Sequence, residues 1–118
     1  MPVVLYGIPA CSSVKKARQW LDERGVAYQF HDYKKQCVPE ASLRRWVAAK
    51  GWPTLLNRQG TTWRKLDDAT KAAVIDTDRA IAVMLAHPST IKRPVIEASR
   101  TLIVGFDAEA LESLARGS

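Results

Sequence analysis

A short apolar run that stops at glycine and proline and restarts as a helix constrains this chain more than any other stretch. Val3-Val4-Leu5-Tyr6 is apolar and β-branched, the composition of a buried strand. Gly7 and Pro9 break it into a loop. From Ser12 onward Val14, Ala17 and Leu21 recur on one helical face, with Trp20 flanking. The spacing predicts a helix over residues 12–24, stopped by Gly25. Residues 26–32 then alternate, with Val26, Tyr28 and Phe30 sharing a face, which predicts a second strand. Two strands joined by a helix form a right-handed βαβ unit with parallel strands.

That unit places Cys11 where a strand has ended and a helix begins. Backbone N–H groups at a helix start lack intrahelical partners, and the helix dipole adds partial positive charge, so an anionic thiolate is favoured there. Ser12, Ser13, Lys15, Lys16 and Arg18 act in the same direction. The competing reading is a small, packed apolar cysteine. The end of the second strand carries His31, Asp32 and Tyr33 to the sheet edge that bears Cys11, the edge where open α/β sheets bind ligands. His31 is a candidate general acid for a leaving thiolate, against a solvent-exposed strand-end histidine.

The middle of the chain is helical. Pro39 opens a segment with Leu43, Trp46 and Val47 at helical spacing before Gly51, and residues 52–57 form a short turn. Residues 61–66 are too short to assign. Asp67 or Asp68 caps a helix through Ile75, and Asp76 or Thr77 caps another that ends before Pro88. Residues 95–98 and 101–104 form two strands joined through Ser99-Arg100 as a tight antiparallel hairpin, and residues 108–116 form a closing helix. The sum is an α/β fold: a two-layer domain with a mixed four-stranded sheet and a helical insertion, residues 39–88, between strands 2 and 3. At 118 residues the whole chain, residues 1–118, fits one domain.

Composition narrows the function. No apolar window approaches a membrane span, and the N-terminus lacks the pattern of a signal peptide, so the expected location is cytoplasmic. Two cysteines, Cys11 and Cys37, make neither a disulfide scaffold nor a metal site, and no flavin or nucleotide motif is present. A formal charge of +6 arises from scattered cation pairs, which suits an anionic small substrate or an acidic protein equally and gives no pattern for nucleic-acid binding. The four tryptophans are spread over four elements and read as core or interface, His87 as structural, and Arg64 and Lys65 as a solvated helix start or as contacts for carboxylates.

Three motifs are specific: Tyr-Gly-Ile-x-x-Cys-x-x-x-Lys-Lys-Ala from Tyr6 to Ala17, Gly-Thr-Thr-Trp-Arg-Lys-Leu from Gly60 to Leu66, and Ile-Lys-Arg-Pro from Ile91 to Pro94. With Phe30-His31-Asp32-Tyr33 they make the whole chain resemble the ArsC family of thioredoxin-fold proteins, particularly its YffB-like branch, regarded as thiol reductases. The family also contains arsenate reductases and Spx-type regulators that bind RNA polymerase. The resemblance implies Cys11 as nucleophile, faced by Arg93-Pro94 with a cis peptide bond before Pro94. Arg93 fits this by its own chemistry, since a residue before proline is extended and a guanidinium offers a planar fork for an oxyanion or carboxylate.

Two departures bear on activity. Val14 stands where Cys-x-x-Cys proteins carry their second cysteine. Of three arginines that hold the oxyanion in arsenate reductases of this type, Arg93 matches one; the second position falls at Asn57, beside Arg58, and the third at Gly105. The reading is a glutathione-dependent thiol reductase with Cys11 catalytic, and with Arg93, Pro94, Ser12, Ser13, Lys15 and, secondarily, Arg58 and His31 binding substrate. No cofactor is bound, and glutathione is the thiol co-substrate. The expected partners are glutathione or an anionic small substrate, with glutaredoxin as a second candidate, acting on a monomer without membrane or direct nucleic-acid contact. The alternatives are a Spx-type RNA polymerase-binding redox regulator and a genuine arsenate reductase. The resemblance gives Cys37 no role.

Overall fold

A computed structural model describes residues 3–98 and 101–117, so the Ser99-Arg100 connection lies outside the described residues. The chain divides into two compact units. One comprises the residues up to Gln36 together with those from Arg93 onward; the other is Cys37–Lys92.

The first unit holds the sheet. Its elements are β1 (Val4–Gly7), α1 (Ser12–Glu23), β2 (Gln29–Asp32), a helical turn α2 (Tyr33–Gln36), β3 (Val95–Glu97), β4 (Leu102–Val104) and α8 (Ala108–Gly117). The strand order is β2-β1-β3-β4, with β1 and β2 parallel and the remaining pairs antiparallel. This is the expected mixed four-stranded sheet. Phe30, Leu5, Ile96 and Ile103 stand side by side across all four strands. They pack in one apolar core with Val14, Ala17 and Leu21 of α1 and Leu111 and Leu114 of α8. On the opposite face the next row is His31, Tyr6, Val95 and Val104.

The second strand is shorter than its alternation predicts. Gly25 takes a φ of 68°, and Val26 N–H donates back to Leu21 C=O, ending α1. The register sets Gln29 opposite Val4, where β1 begins, so pairing starts there. Val26 and Tyr28 still pack against the core beside Phe30, and the alternation marked their face correctly.

The second unit is helical: α3 (Glu40–Lys50), α4 (Trp52–Leu55), α5 (Thr61–Arg64), α6 (Asp68–Ala72) and α7 (Thr77–Ala86), then a 3-10 turn at Pro88–Thr90. Leu43, Trp46, Val47, Leu55, Ile81 and Met84 are buried. Asp67 and Asp76 cap α6 and α7 through the N–H groups of Thr70 and Arg79. Three details differ from expectation. Pro39 is the N-cap of α3 and not its first helical residue. Residues 52–55 form a helical turn, because Pro53 falls in the first positions, where its missing N–H is not needed. α6 ends at Ala72 and leaves Ile75 exposed, since the chain must reopen for the Asp76 cap.

Candidate functional site

The C-terminal ends of β1 and β2 and the N-terminal end of β3 share one sheet edge, because Tyr6 pairs with His31 on one side and Val95 on the other. β3 begins at Val95, so Arg93 and Pro94 lead into it from this edge. Gly7 stands opposite Asp32, so Tyr33 follows at the same edge.

Cys11 reaches this edge through the loop after β1. Its N–H donates to Ile8 C=O at 3.1 Å, closing a turn over Pro9 and Ala10. Its own C=O accepts from Lys15 N–H at 3.0 Å, the first hydrogen bond of α1. Cys11 is thus the N-cap, in an extended conformation (φ −72°, ψ 128°), with no side-chain cap and no carboxylate in the first turn. It is half-buried against the apolar core. Ser12 and Lys15 are exposed and Ser13 is half-buried on that turn.

The peptide bond between Arg93 and Pro94 is cis. Pro94 is buried and its C=O accepts from Gly105 N–H at 2.8 Å, which ties the loop after β4 to the same edge. Gly105 has a φ of 83°, a left-handed conformation that glycine adopts without the penalty of a Cβ. Arg93 is half-buried.

His31 lies in an aromatic group with Tyr6, at 4.9 Å between ring centroids, and Tyr33, at 6.3 Å. Tyr6 hydroxyl donates to Glu97 Oε1 at 3.3 Å. The Tyr33 ring is buried and its hydroxyl has no hydrogen-bond partner among the described residues. Burial, first, and the neighbouring Tyr6 raise the Tyr33 phenol well above the ordinary tyrosine range, while the Arg93 charge pulls the other way. The sequence reading carried Tyr33 to this edge but gave it no role. A tyrosine directly after a strand that ends at a ligand-binding edge was the available signal. Asp32, also buried, accepts from Lys34 N–H at 2.8 Å and so starts α2.

The first unit therefore brings Cys11, Ser12, Ser13, Lys15, His31, Arg93 and Pro94 to one edge. Arg58 belongs to the second unit, exposed, with its guanidinium 5.7 Å from the Trp52 ring centroid. Cys37 is exposed at the start of that unit with a φ of 58°. Among the described residues no cluster of His, Cys, Asp and Glu is placed to hold a metal ion, and no helix is long and apolar enough to cross a membrane.

A mixed sheet opening on βαβ, a cysteine at the start of its first helix and a cis-proline leading into β3 define a thioredoxin-like protein. The sequence profile of the ArsC family matches residues 6–114, and the chain belongs to that family. A YFFB protein of known structure is 56% identical, covering 94% of this chain and 96% of that one, with a TM-score of 0.90. An arsenate reductase (ArsC) related protein from Brucella melitensis is 45% identical over 96% of this chain and 93% of its own, with a TM-score of 0.74. The global transcriptional regulator Spx of Streptococcus mutans is 25% identical, over 94% of this chain and 81% of its own length.

Proposed function

We propose that this protein is a glutathione-dependent thiol reductase working through one nucleophilic cysteine, Cys11. The observation that carries the reading is the N-cap position of Cys11 on a 12-residue helix whose first turn has neither side-chain cap nor carboxylate. A thiolate is the anion that such a terminus accommodates. Cys11 thiolate attacks one sulfur of a glutathione-containing disulfide, forming a Cys11–glutathione bond and releasing the partner as a thiolate that takes a proton from solvent. A second glutathione thiolate attacks the glutathione sulfur of that bond, regenerating Cys11 and leaving oxidised glutathione. Arg93 holds a carboxylate of glutathione, Ser12, Ser13 and Lys15 supply donors and charge, Pro94 shapes the opposite side, and His31 is the secondary candidate for protonating the departing thiolate. Arg58 has no step in this scheme. The chemistry suits a reducing compartment, the cytoplasm, with glutaredoxin as a second reductant and the protein acting as a monomer. Cys37–Lys92 is then an insertion into a single domain.

The likeness to Spx favours a second reading, a redox regulator docked on RNA polymerase. Val14, in place of a second motif cysteine, speaks against it. Mass spectrometry after exposure to oxidised glutathione tests the first reading: one glutathione adduct on Cys11, removed by reduced glutathione, is expected. Failure of Cys11 to form the adduct, with RNA polymerase subunits retained stoichiometrically on the immobilised protein, would favour the regulator.

A further inference from the structure

Arg24, Arg44, Lys71, Arg79 and Arg116 each pair with a carboxylate. The side chains of Lys15 and Lys16 on α1, Lys34 and Lys35 on α2, and Arg93 before β3 have no carboxylate partner among the described residues, and neither do those of Lys50, Arg58, Arg64, Lys65 and Lys92 in the second unit. The four lysines of α1 and α2 are exposed. Both helices begin at the edge that carries Cys11. Two carboxylates near this edge are engaged by backbone: Asp32 accepts from Lys34 N–H, and Asp107 from Ala110 N–H at 3.2 Å. The exposed aromatic Phe106 follows Gly105, which is bonded to Pro94 C=O.

We propose that the disulfide presented to Cys11 is carried by an acidic polypeptide segment that docks on Lys15, Lys16, Lys34 and Lys35. This rests on the thiol-reductase reading and names its substrate class. Five unpaired cations exceed the charge that one glutathione can neutralise, and they are distributed over two helices and a loop. An extended segment with several carboxylates matches that distribution, and Phe106 offers an apolar contact beside it. Nucleic acid would match the charge but brings no sulfur to Cys11. The step is the one given above: Cys11 takes the glutathione from a glutathionylated cysteine of the segment, whose own sulfur leaves as thiolate and is protonated by solvent. A second glutathione then frees Cys11 as oxidised glutathione forms.

The test uses the full chain and two glutathionylated peptides of equal length, the cysteine flanked by glutamates in one and by glutamines in the other. Steering by such a patch predicts that the glutamate peptide is deglutathionylated about 10-fold faster or more at low salt, the ratio falling towards 1 at about 0.5 M salt. The variant Lys34→Gln/Lys35→Gln loses much of that preference while its rate with the uncharged bis(2-hydroxyethyl) disulfide is unchanged. Equal rates for the two peptides, or a preference that survives in the variant, overturn the proposal. If Cys11 reacts with no disulfide, the reductase reading fails and the docking is decided separately. A fluorescent glutamate peptide with serine for cysteine binds in a salt-sensitive way and loses binding in the variant, or the docking is wrong. Displacement of that peptide by a single-stranded oligonucleotide at lower concentration than by unlabelled peptide also overturns it.

Discussion

Gly7 and Val14 approach so closely that a Cβ on Gly7 would lie 2.6 Å from Val14 Cγ2. The last residue of β1 is thereby pressed against the first turn of α1, and only three residues separate Gly7 from the cysteine that starts the helix. Closeness at this point fixes where the Cys11 loop leaves the sheet.

Gly7→Ala forces the Val14 side chain or the helix to move. Overpacking of this kind destabilises by about 1–3 kcal/mol. The variant should unfold at lower urea than the wild type, and Val14→Ala added to it should recover part of the loss. An unchanged midpoint for Gly7→Ala would mean that the loop is not set by this contact.

Tyr33 gives a pH-dependent prediction. Its phenol has a raised folded pKa, caused first by burial. The neutral form is favoured in the folded state, so its contribution is whole below the unfolded value, about 10, and is lost as pH rises through and above it. Wild type should lose stability above about pH 10 at up to about 1.4 kcal/mol per pH unit from this group. Tyr33→Phe should lack that component. At pH 7 the variant should be as stable as wild type or more so, because a buried hydroxyl without a partner contributes no compensating bond. A large loss of stability at pH 7 would show that the hydroxyl is engaged after all.

Much of this was legible because the decisive signals are local. The β-branched run before Gly7, the helical face of Val14, Ala17 and Leu21, and the alternation through Phe30 all report burial of one face, and one core receives them all. The extent of pairing was not legible, since the start of β2 at Gln29 depends on where β1 begins and on the return of Val26 to Leu21. Short helices also hid. α4 and α5 have four residues each, too few for a period to repeat. Tyr33 was read at the right edge, but its burial and its place beside Tyr6 and His31 arise from the sheet register, which the spacing alone does not display.

Cys11 and Cys37 should separate cleanly on exposure to oxidised glutathione. Cys37→Ser should still take one adduct, and Cys11→Ser should lose the adduct that reduced glutathione removes. Arg93→Ala should slow adduct formation about 10-fold or more, the equivalent of one charge-assisted hydrogen bond of roughly 1.5–3 kcal/mol. Stopped-flow alkylation with an uncharged reagent serves as control, because loss of a glutathione contact at Arg93 should spare it more than it spares the reaction with oxidised glutathione. Equal slowing with both reagents would place Arg93 on the thiolate and not on glutathione.

Arsenate is the sharpest discriminator among the reactions of this family. The resemblance to arsenate reductases implies that Arg93, Asn57 and Gly105 stand at the positions of their three arginines. Gly105 has a φ of 83° and donates its N–H to Pro94 C=O, so an arginine at that position would strain the loop that braces the cis-proline. Two missing guanidinium contacts, each worth roughly 1.5–3 kcal/mol, lower transition-state stabilisation by about 3–6 kcal/mol, or about two to four orders of magnitude in rate. Glutathione-dependent arsenate reduction should therefore be feeble in the presence of glutaredoxin, while Cys11 still forms its mixed disulfide. Robust turnover by the wild type, abolished in Cys11→Ser and Arg93→Ala, would instead make this chain an arsenate reductase that has replaced two arginines by other means.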